Sequence, residues 1–381
     1  MDLDIPDSAR EFQLEARDWL RANVPANPLP SMDTAEGFEL HREWEHKLAD
    51  ARWAAVSWPA EYGGRDASIL EWVLFEQEYY AAAAPGRVSQ NGLFLLAPTL
   101  FEHGTPEQHA RILPRLARAD DIWAQAWSEP EAGSDLAALR STAKRTDGGW
   151  LLSGQKTWSS RAAFADWAFG LFRSDPEQAR HKGLTYLMFP LNAEGVTVRP
   201  IEQLGGGVGF AEIFLDDVFV PDRDVIGEVN QGWRAAMSTA SNERGLSLRS
   251  PGRFSATARK LFELWETHGD PNDTAMQQRV VDAWVGAEAY RLSTFQTVTR
   301  LAAGGNLGSE SSINKVFWSE LDIAMHETAL DILAGAGITG EAWEAGFQFS
   351  LAGPIYAGTN EVQRSIIAER LLGLPRARRA S

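Results

Sequence analysis

The side chains of this chain that could carry chemistry are few in type. There is no cysteine, which removes disulfides, thiolate-held zinc, iron–sulfur clusters and a cysteine nucleophile together. The seven histidines (His41, His46, His103, His109, His181, His268 and His326) are scattered. No pair has the i, i+4 spacing of a helical zinc site, so no metal is expected. Ser134 stands in EAGSD, outside the G-x-S-x-G elbow, and gives a hydrolase triad no support. The GGGVG run, Gly205 to Gly209, would need a strand before it and a helix after it to cradle a dinucleotide. The strand-like FAEIFLDDVFVP follows instead, and the run is read as a hairpin loop. More informative is Trp123 to Asp175. A strand ends in Trp127-Ser128, Glu129-Pro130 turns the chain, and Ala132, Gly133 and Ser134 are small enough for a ligand to approach the backbone. Such a site suits a flat, hydrogen-bonding heterocycle with a diphosphate tail. The same residues also read as ordinary turns of a β-barrel, and composition leaves both open.

Positioning these residues falls to three zones. Up to about Leu116, apolar residues recur every three or four positions, as in Phe12, Ala16, Trp19, Leu20 and in Leu70, Val73, Leu74. These are amphipathic helices, broken at Pro25 to Pro30, at WPAEYGG and at His103-Gly104-Thr105-Pro106, where Thr105 is placed to cap a helix starting at Pro106. From Asp121 to about Val225 the period falls to two, in runs such as WLLSGQKTW, LTYLMFPL and EIFLDDVFV. From Gly232 helical spacing returns, with a break at Pro251. The expected architecture is α+β: an N-terminal helical domain (1–120), a middle β-barrel-like domain (121–228) and a C-terminal helical bundle (229–381).

Composition narrows the function classes. A hydrophobic fraction of 44% with 23% charged residues is that of a globular chain. The formal net charge of −16 repels a nucleic-acid backbone, and Arg376, Arg378 and Arg379 read as a solvated tail. The N-terminus lacks the basic and apolar regions of a signal peptide, and no run approaches the roughly 20 apolar residues of a membrane span. A soluble, cytoplasmic protein is expected.

Six separated motifs, in order, give the sequence a resemblance to the acyl-CoA dehydrogenase family along nearly its whole length. They are WPAEYGG, SEPEAGSD, SGQKTW, DDVFVP with VIGEVNQGW, SNERG, and IYAGTNEVQRSIIAERLLGLPR. The resemblance implies the family's three-domain fold, FAD as cofactor, an acyl-CoA or other acyl thioester as substrate, and an electron-transfer flavoprotein or similar acceptor. It places Gln125, Ala126, Trp127 and Ser128 beside the flavin ring, with Trp158, Ser159 and Ser160 on a second strand touching it. Ser134 falls near the flavin diphosphate and the thioester. Gly358, Thr359, Asn360 and Glu361 match the segment holding the adenine half, joined by Asp331 to Gly335 from across a dimer interface.

The family reaction takes a proton from the carbon α to the thioester and a hydride from the β carbon, on opposite faces. Many members carry the base in Tyr-Glu-Gly-Thr. The matching stretch here is Tyr356-Ala357-Gly358-Thr359. An alanine methyl accepts no proton, although the Ala357 backbone N–H can still donate to the thioester oxygen. Some relatives carry the glutamate on a helix of the last domain, and by that resemblance Ser241-Asn242-Glu243-Arg244 supplies Glu243 as base, with Asn242 and Arg244 near the substrate. Taken alone, a Glu-Arg pair on a helix is read as a salt bridge. The Arg-x-x-Phe-Gly segment of homotetrameric members has no counterpart in ELWETHGDPNDTAMQQRV, and Asp331 stands where many relatives have Gln. A homo-oligomer and a partner subunit of a heteromeric steroid side-chain enzyme both fit. The alternatives are a flavin monooxygenase of the same fold and a non-catalytic subunit.

Overall fold

The computed structural model describes residues 3–244, 250–305 and 308–376, without the side chains of 242–244. The chain forms two compact units, one from Pro25–Ala67 and Pro85–Glu243, the other from the N-terminal segment to Val24, Ser68–Ala84 and the chain from Arg244 on.

In the first unit, eight strands follow α2 (Ala35–Asp50), α4 (Ala97–His103) and α5 (Pro106–Ala117). They are β1 (Trp123–Ala126), β2 (Thr142–Thr146), β3 (Gly149–Ser160), β4 (Trp167–Arg173), β5 (Leu184–Pro190), β6 (Val196–Ile201), β7 (Phe210–Pro221) and β8 (Val225–Ile226). Their order is β6-β7-β3-β2-β4-β5-β8, with β1 added in parallel on β4. Alternation makes the sheet, since Leu152, Phe172, Leu187, Phe189, Ile213, Val218 and Val220 all turn to one core. Thr105 caps α5 as its position predicts, its hydroxyl accepting from the Gln108 N–H while Gln108 reaches back to the Thr105 N–H. Gly205 to Gly209 lie in the connection between the antiparallel β6 and β7, the hairpin reading. The unit ends in α6 (Gly232–Arg244).

The second unit is helical, built of α1 (Asp7–Asn23), α3 (Ile69–Ala81), α7 (Pro251–His268), α8 (Thr274–Ala302), α9 (Ser311–Gly335), α10 (Glu341–Ser350) and α11 (Asn360–Ile366). The break expected at Pro251 is there: it is the first residue of α7, capped by the Ser250 hydroxyl. Phe254, Leu261, Tyr290, Trp318, Met325 and Ile332 fill the bundle core. Among the described residues no helix is long and apolar enough to cross a membrane.

Candidate active site

Two neighbouring strand ends build one half of the site. β1 lies close against β4 because Gly170 faces Ala126, where a Cβ would stand 2.3 Å from the Ala126 carbonyl oxygen. The exit of β1 is tied to β3 by the Thr157 N–H, which donates to the Ser128 carbonyl at 2.9 Å. Gln125 Nε2 is buried without a hydrogen-bond partner, and so is Ser159 Oγ, whose residue is fully buried. An unanswered buried polar group costs about 1–3 kcal/mol, a cost that a ligand bound beside these adjoining segments would relieve. The β3–β7 register slips between Lys156 and Ser159. There Trp158 takes φ +58°, a left-handed conformation that bulky residues rarely adopt. The slip leaves its indole 60% exposed, edge-on to Phe210 at 6.0 Å. Ser160 pairs with Phe210 in the ladder. Ser134 is exposed beside Gly133, around whose Cα there is open space.

Beneath these segments sits a pair to which the sequence reading gave no role. Lys156 Nζ, fully buried, donates to Glu129 Oε1 and to the Leu171 carbonyl, both at 2.8 Å, and reaches the Trp127 carbonyl at 3.5 Å. Glu129 also accepts the Arg140 and Ser141 N–H groups at 2.6 and 2.9 Å. Burial pushes the Glu129 carboxyl up, but the Lys156 ammonium together with the hydrogen bonds from Arg140 and Ser141 holds it below the usual carboxylate range. Burial draws the Lys156 amine down. The signal in the sequence was a lysine at an inward position of a strand.

The remaining candidates lie in the helical unit, at one tight turn and at the C-terminal end of α9. Ala357 and Gly358 are both left-handed, at φ +57° and +79°, and Gln363 Nε2 donates to both carbonyls at 3.0 and 3.3 Å. Thr359 caps α11 through its hydroxyl. Asn360 is buried and accepts from Lys315 Nζ at 2.8 Å and Ser319 Oγ at 3.2 Å. Glu361, exposed on the first turn of α11, is held below the usual carboxylate range by a backbone N–H and the Thr359 hydroxyl. Asp331 is exposed and paired with Arg279 at 2.6 Å, so its charge is answered within the chain. Gly335 ends α9, and a Cβ there would meet nothing within 4 Å. Behind the turn, Tyr356 stacks on Trp318 at 5.9 Å. Arg253 pairs with the fully buried Asp322 at 2.6 Å. Burial works to lower the Arg253 guanidinium, but Asp322, Tyr356 and Tyr80 hold it above its ordinary value.

Asn242, Glu243 and Arg244 form the last turn of α6, and their side chains lie outside the described structure, as do Gly245 and Leu246. Gly92, Leu93 and Leu96 belong to a buried π-helical turn (Gly92–Leu96), where a Cβ on Gly92 would stand 3.0 Å from Leu116.

The exposed, left-handed Trp158 beside the buried Gln125 and Ser159 groups without partners is a candidate site for a flat cofactor. Family models agree: those for the N-terminal, middle and C-terminal domains of acyl-CoA dehydrogenase match residues 6–120, 124–218 and 230–372. The acyl-CoA dehydrogenase IpdE1 of Mycolicibacterium smegmatis is 38% identical over 389 residues, covering 96% of this chain and 98% of its own. Among solved structures, the Tcur3481–Tcur3483 steroid acyl-CoA dehydrogenase is 28% identical over 99% of this chain and 100% of that one, with a TM-score of 0.88. The ChsE4–ChsE5 complex of Mycobacterium tuberculosis is 29% identical over 99% and 100%, with a TM-score of 0.83. The chain belongs to the acyl-CoA dehydrogenase family. It is an oxidoreductase with FAD as cofactor, and the unanswered Gln125 and Ser159 groups beside Trp158 fit a flavin's need for donors and a flat wall.

Proposed function

We propose that this dehydrogenase oxidises a steroid-derived acyl-CoA to the trans-2-enoyl-CoA, with Glu243 as the base. The observation that carries the assignment is position 357: the loop keeps a left-handed backbone with its carbonyl held by Gln363, yet the side chain is a methyl. A carboxylate must therefore come from another element, and the last turn of α6 carries Glu243. The Glu243 carboxylate takes the proton from the α carbon. The Ala357 N–H and the small residues around Ser134 steady the thioester, and donation to its oxygen stabilises enolate charge. Asn242 and Arg244 flank the substrate. Gln125, Ala126, Trp127, Ser128, Trp158, Ser159 and Ser160 line the flavin ring. Gly358, Thr359 and Glu361, with Asp331 and Gly335 from a neighbouring subunit, hold the adenine half. Bound FAD supplies the hydride acceptor, N5. An electron-transfer flavoprotein is the proposed acceptor, in the cytoplasm, and the domains divide at residues 120 and 228.

The test is anaerobic mixing of the purified flavoprotein with straight-chain and steroid acyl-CoA thioesters, following the bleaching of the flavin band. Glu243→Gln should keep its FAD and lose about 10²–10⁴-fold in the reduction rate. Near-normal bleaching in that variant would remove Glu243 from the mechanism. A second reading, a subunit of a heteromeric enzyme, is favoured by the two-component assemblies of both solved relatives above. FAD stoichiometry of the chain expressed alone decides it, and full occupancy in a homo-oligomer rules out an obligate partner.

A further inference from the structure

One line of buried hydrogen bonds in the β-containing unit is unused by the mechanism above. Trp127 Nε1–H donates to Tyr186 Oη at 2.9 Å. Tyr186 Oη lies 3.3 Å from Thr239 Oγ1 on α6, and Thr239 Oγ1 lies 2.6 Å from Thr99 Oγ1 on α4. Thr99 Oγ1 in turn donates to the Leu95 carbonyl, 2.8 Å away, inside the π-helical turn. Tyr186, Thr239 and Thr99 are fully buried. The indole can only donate. With the indole bond accepted, the tyrosine hydroxyl can donate to Thr239, and Thr239, whose hydroxyl also reaches the Ala235 carbonyl at 3.2 Å, can donate to Thr99. Buried bonds running head to tail polarise one another, and a break in the line leaves an unpaired polar group.

The line matters because of what it holds. Tyr186 touches α6 twice. At the first residue of the helix, Gly232 lies against its backbone so closely that a Cβ would stand 2.5 Å from the Tyr186 nitrogen. Seven residues on, about two turns along the helix, the tyrosine hydroxyl meets Thr239. These two points, with the Thr239–Thr99 bond and the Ser238 hydroxyl on Glu102, bear on both the direction of α6 and its rotation about its axis. Position 243 follows Thr239 by four residues, one turn further. The other end of the line is Trp127, in the segment at the exit of β1.

We propose that Tyr186 and Thr239 are positioning residues that set the α6 backbone at position 243 in register with the segment formed by Gln125 to Ser128, by pinning α6 to Trp127. The proposal rests on the reading of Glu243 as the base. A misplacement of about 1 Å at a reacting group can cost on the order of 10²-fold in rate, and so the effect belongs in the proton-abstraction step rather than in cofactor binding.

The test is a double-mutant cycle read by anaerobic single-turnover flavin reduction, with FAD content, the substrate concentration giving half-maximal rate, and thermal midpoint measured on the same holoenzymes. Thr239→Val keeps the shape and removes the hydroxyl, and Tyr186→Phe keeps the ring. Each should slow reduction by about 10-fold or more with FAD content retained and half-saturation within about threefold. Thr239→Ser should restore the rate. In the Glu243→Gln background, where there is no base to misplace, the same substitutions should change the residual rate by less than about twofold. Equal losses in both backgrounds would assign the residues a general structural role and overturn the proposal. So would wild-type rates in both Thr239→Val and Tyr186→Phe while Glu243→Gln is inactive. Near-normal reduction in Glu243→Gln itself is a separate result, which overturns the base assignment and the proposal with it. If Thr239→Val does not fold, Tyr186→Phe completes the cycle.

Discussion

Replacing Lys156 by methionine removes one ammonium from a fully enclosed site while keeping most of the side-chain volume. Two losses follow from the geometry. Glu129, 7% exposed, loses the cation at 2.8 Å, and breaking one side of a buried ion pair costs roughly 3–5 kcal/mol. The Leu171 carbonyl loses its 2.8 Å contact with Nζ, roughly another 1 kcal/mol. The sum is about 4–6 kcal/mol at pH 7, read by urea unfolding monitored through tryptophan emission. Glu129 is then left with the Arg140 and Ser141 N–H groups alone, and burial pushes its carboxyl up, so the penalty should shrink as the pH is lowered towards 5. In the wild type the sign is opposite. The Glu129 carboxyl is held below its unfolded value, so its contribution is complete above the ordinary glutamate value near ~4.3 and is lost as the pH falls through the folded one. The double variant Lys156→Met/Glu129→Gln carries no stranded charge and should recover most of the loss. A single variant within about 1 kcal/mol of wild type, or one whose cost is the same in the Glu129→Gln background, would refute the reasoning.

Two further outcomes follow from buried charges. Glu45 is buried against Ser89, whose N–H donates to it at 2.9 Å and whose hydroxyl donates to its other oxygen. Burial holds its carboxyl above the usual value. Its folded value exceeds the unfolded one, so its contribution is complete at low pH and falls away as the pH rises through the folded value. Glu45→Gln should therefore gain stability relative to wild type at pH 8 compared with pH 5 in parallel urea titrations, and an unchanged difference between the two pH values would contradict it. Asp322→Asn strands the Arg253 guanidinium, which Asp322 meets at 2.6 Å, and should cost about 3–5 kcal/mol in urea unfolding. A cost under about 1 kcal/mol there would show that Tyr356 and Tyr80 suffice.

How much of this could be read in the sequence depends on the range of the interaction. Thr105 and Gln108 are three residues apart, and their mutual capping follows from local chemistry alone. The hairpin at Gly205 to Gly209 was legible from the strand pattern after it. Helices before and after a sheet followed from the change of period. Lys156 and Glu129 are 27 residues apart, and each stands in a motif that shows its presence without its partner. The line from Trp127 to Leu95 joins a strand exit, a second strand, two helices and a π-helical turn, each with its own ordinary pattern. Nothing in the one-dimensional spacing of Thr99 or Thr239 separates them from other buried threonines. Nor does an alanine announce a positive φ, and the left-handed Ala357 emerges only from the turn that Gln363 holds.

Under the proposal that Glu243 is the base, the base lies on a helix rather than in a loop, and that changes which parts of the fold must be stiff. A glutamate in the turn at 357 would be placed by that turn, which the Gln363 amide, the Thr359 cap and the buried Asn360–Lys315 contact already fix. With alanine there, the turn carries no carboxylate. On that proposal the demand passes to α6, where a base in the final turn would inherit any error in the helix's direction and rotation. A glutamate side chain has three rotatable bonds and so adds freedom of its own. The helix beneath it has correspondingly little to spare. Backbone contact at Gly232 and a hydroxyl bond at Thr239, both made by Tyr186, are the contacts proposed to supply that stiffness, beside the bond from Thr239 to Thr99. The same tyrosine accepts from the Trp127 indole, so α6 is indexed to the strand exit beside the proposed flavin wall.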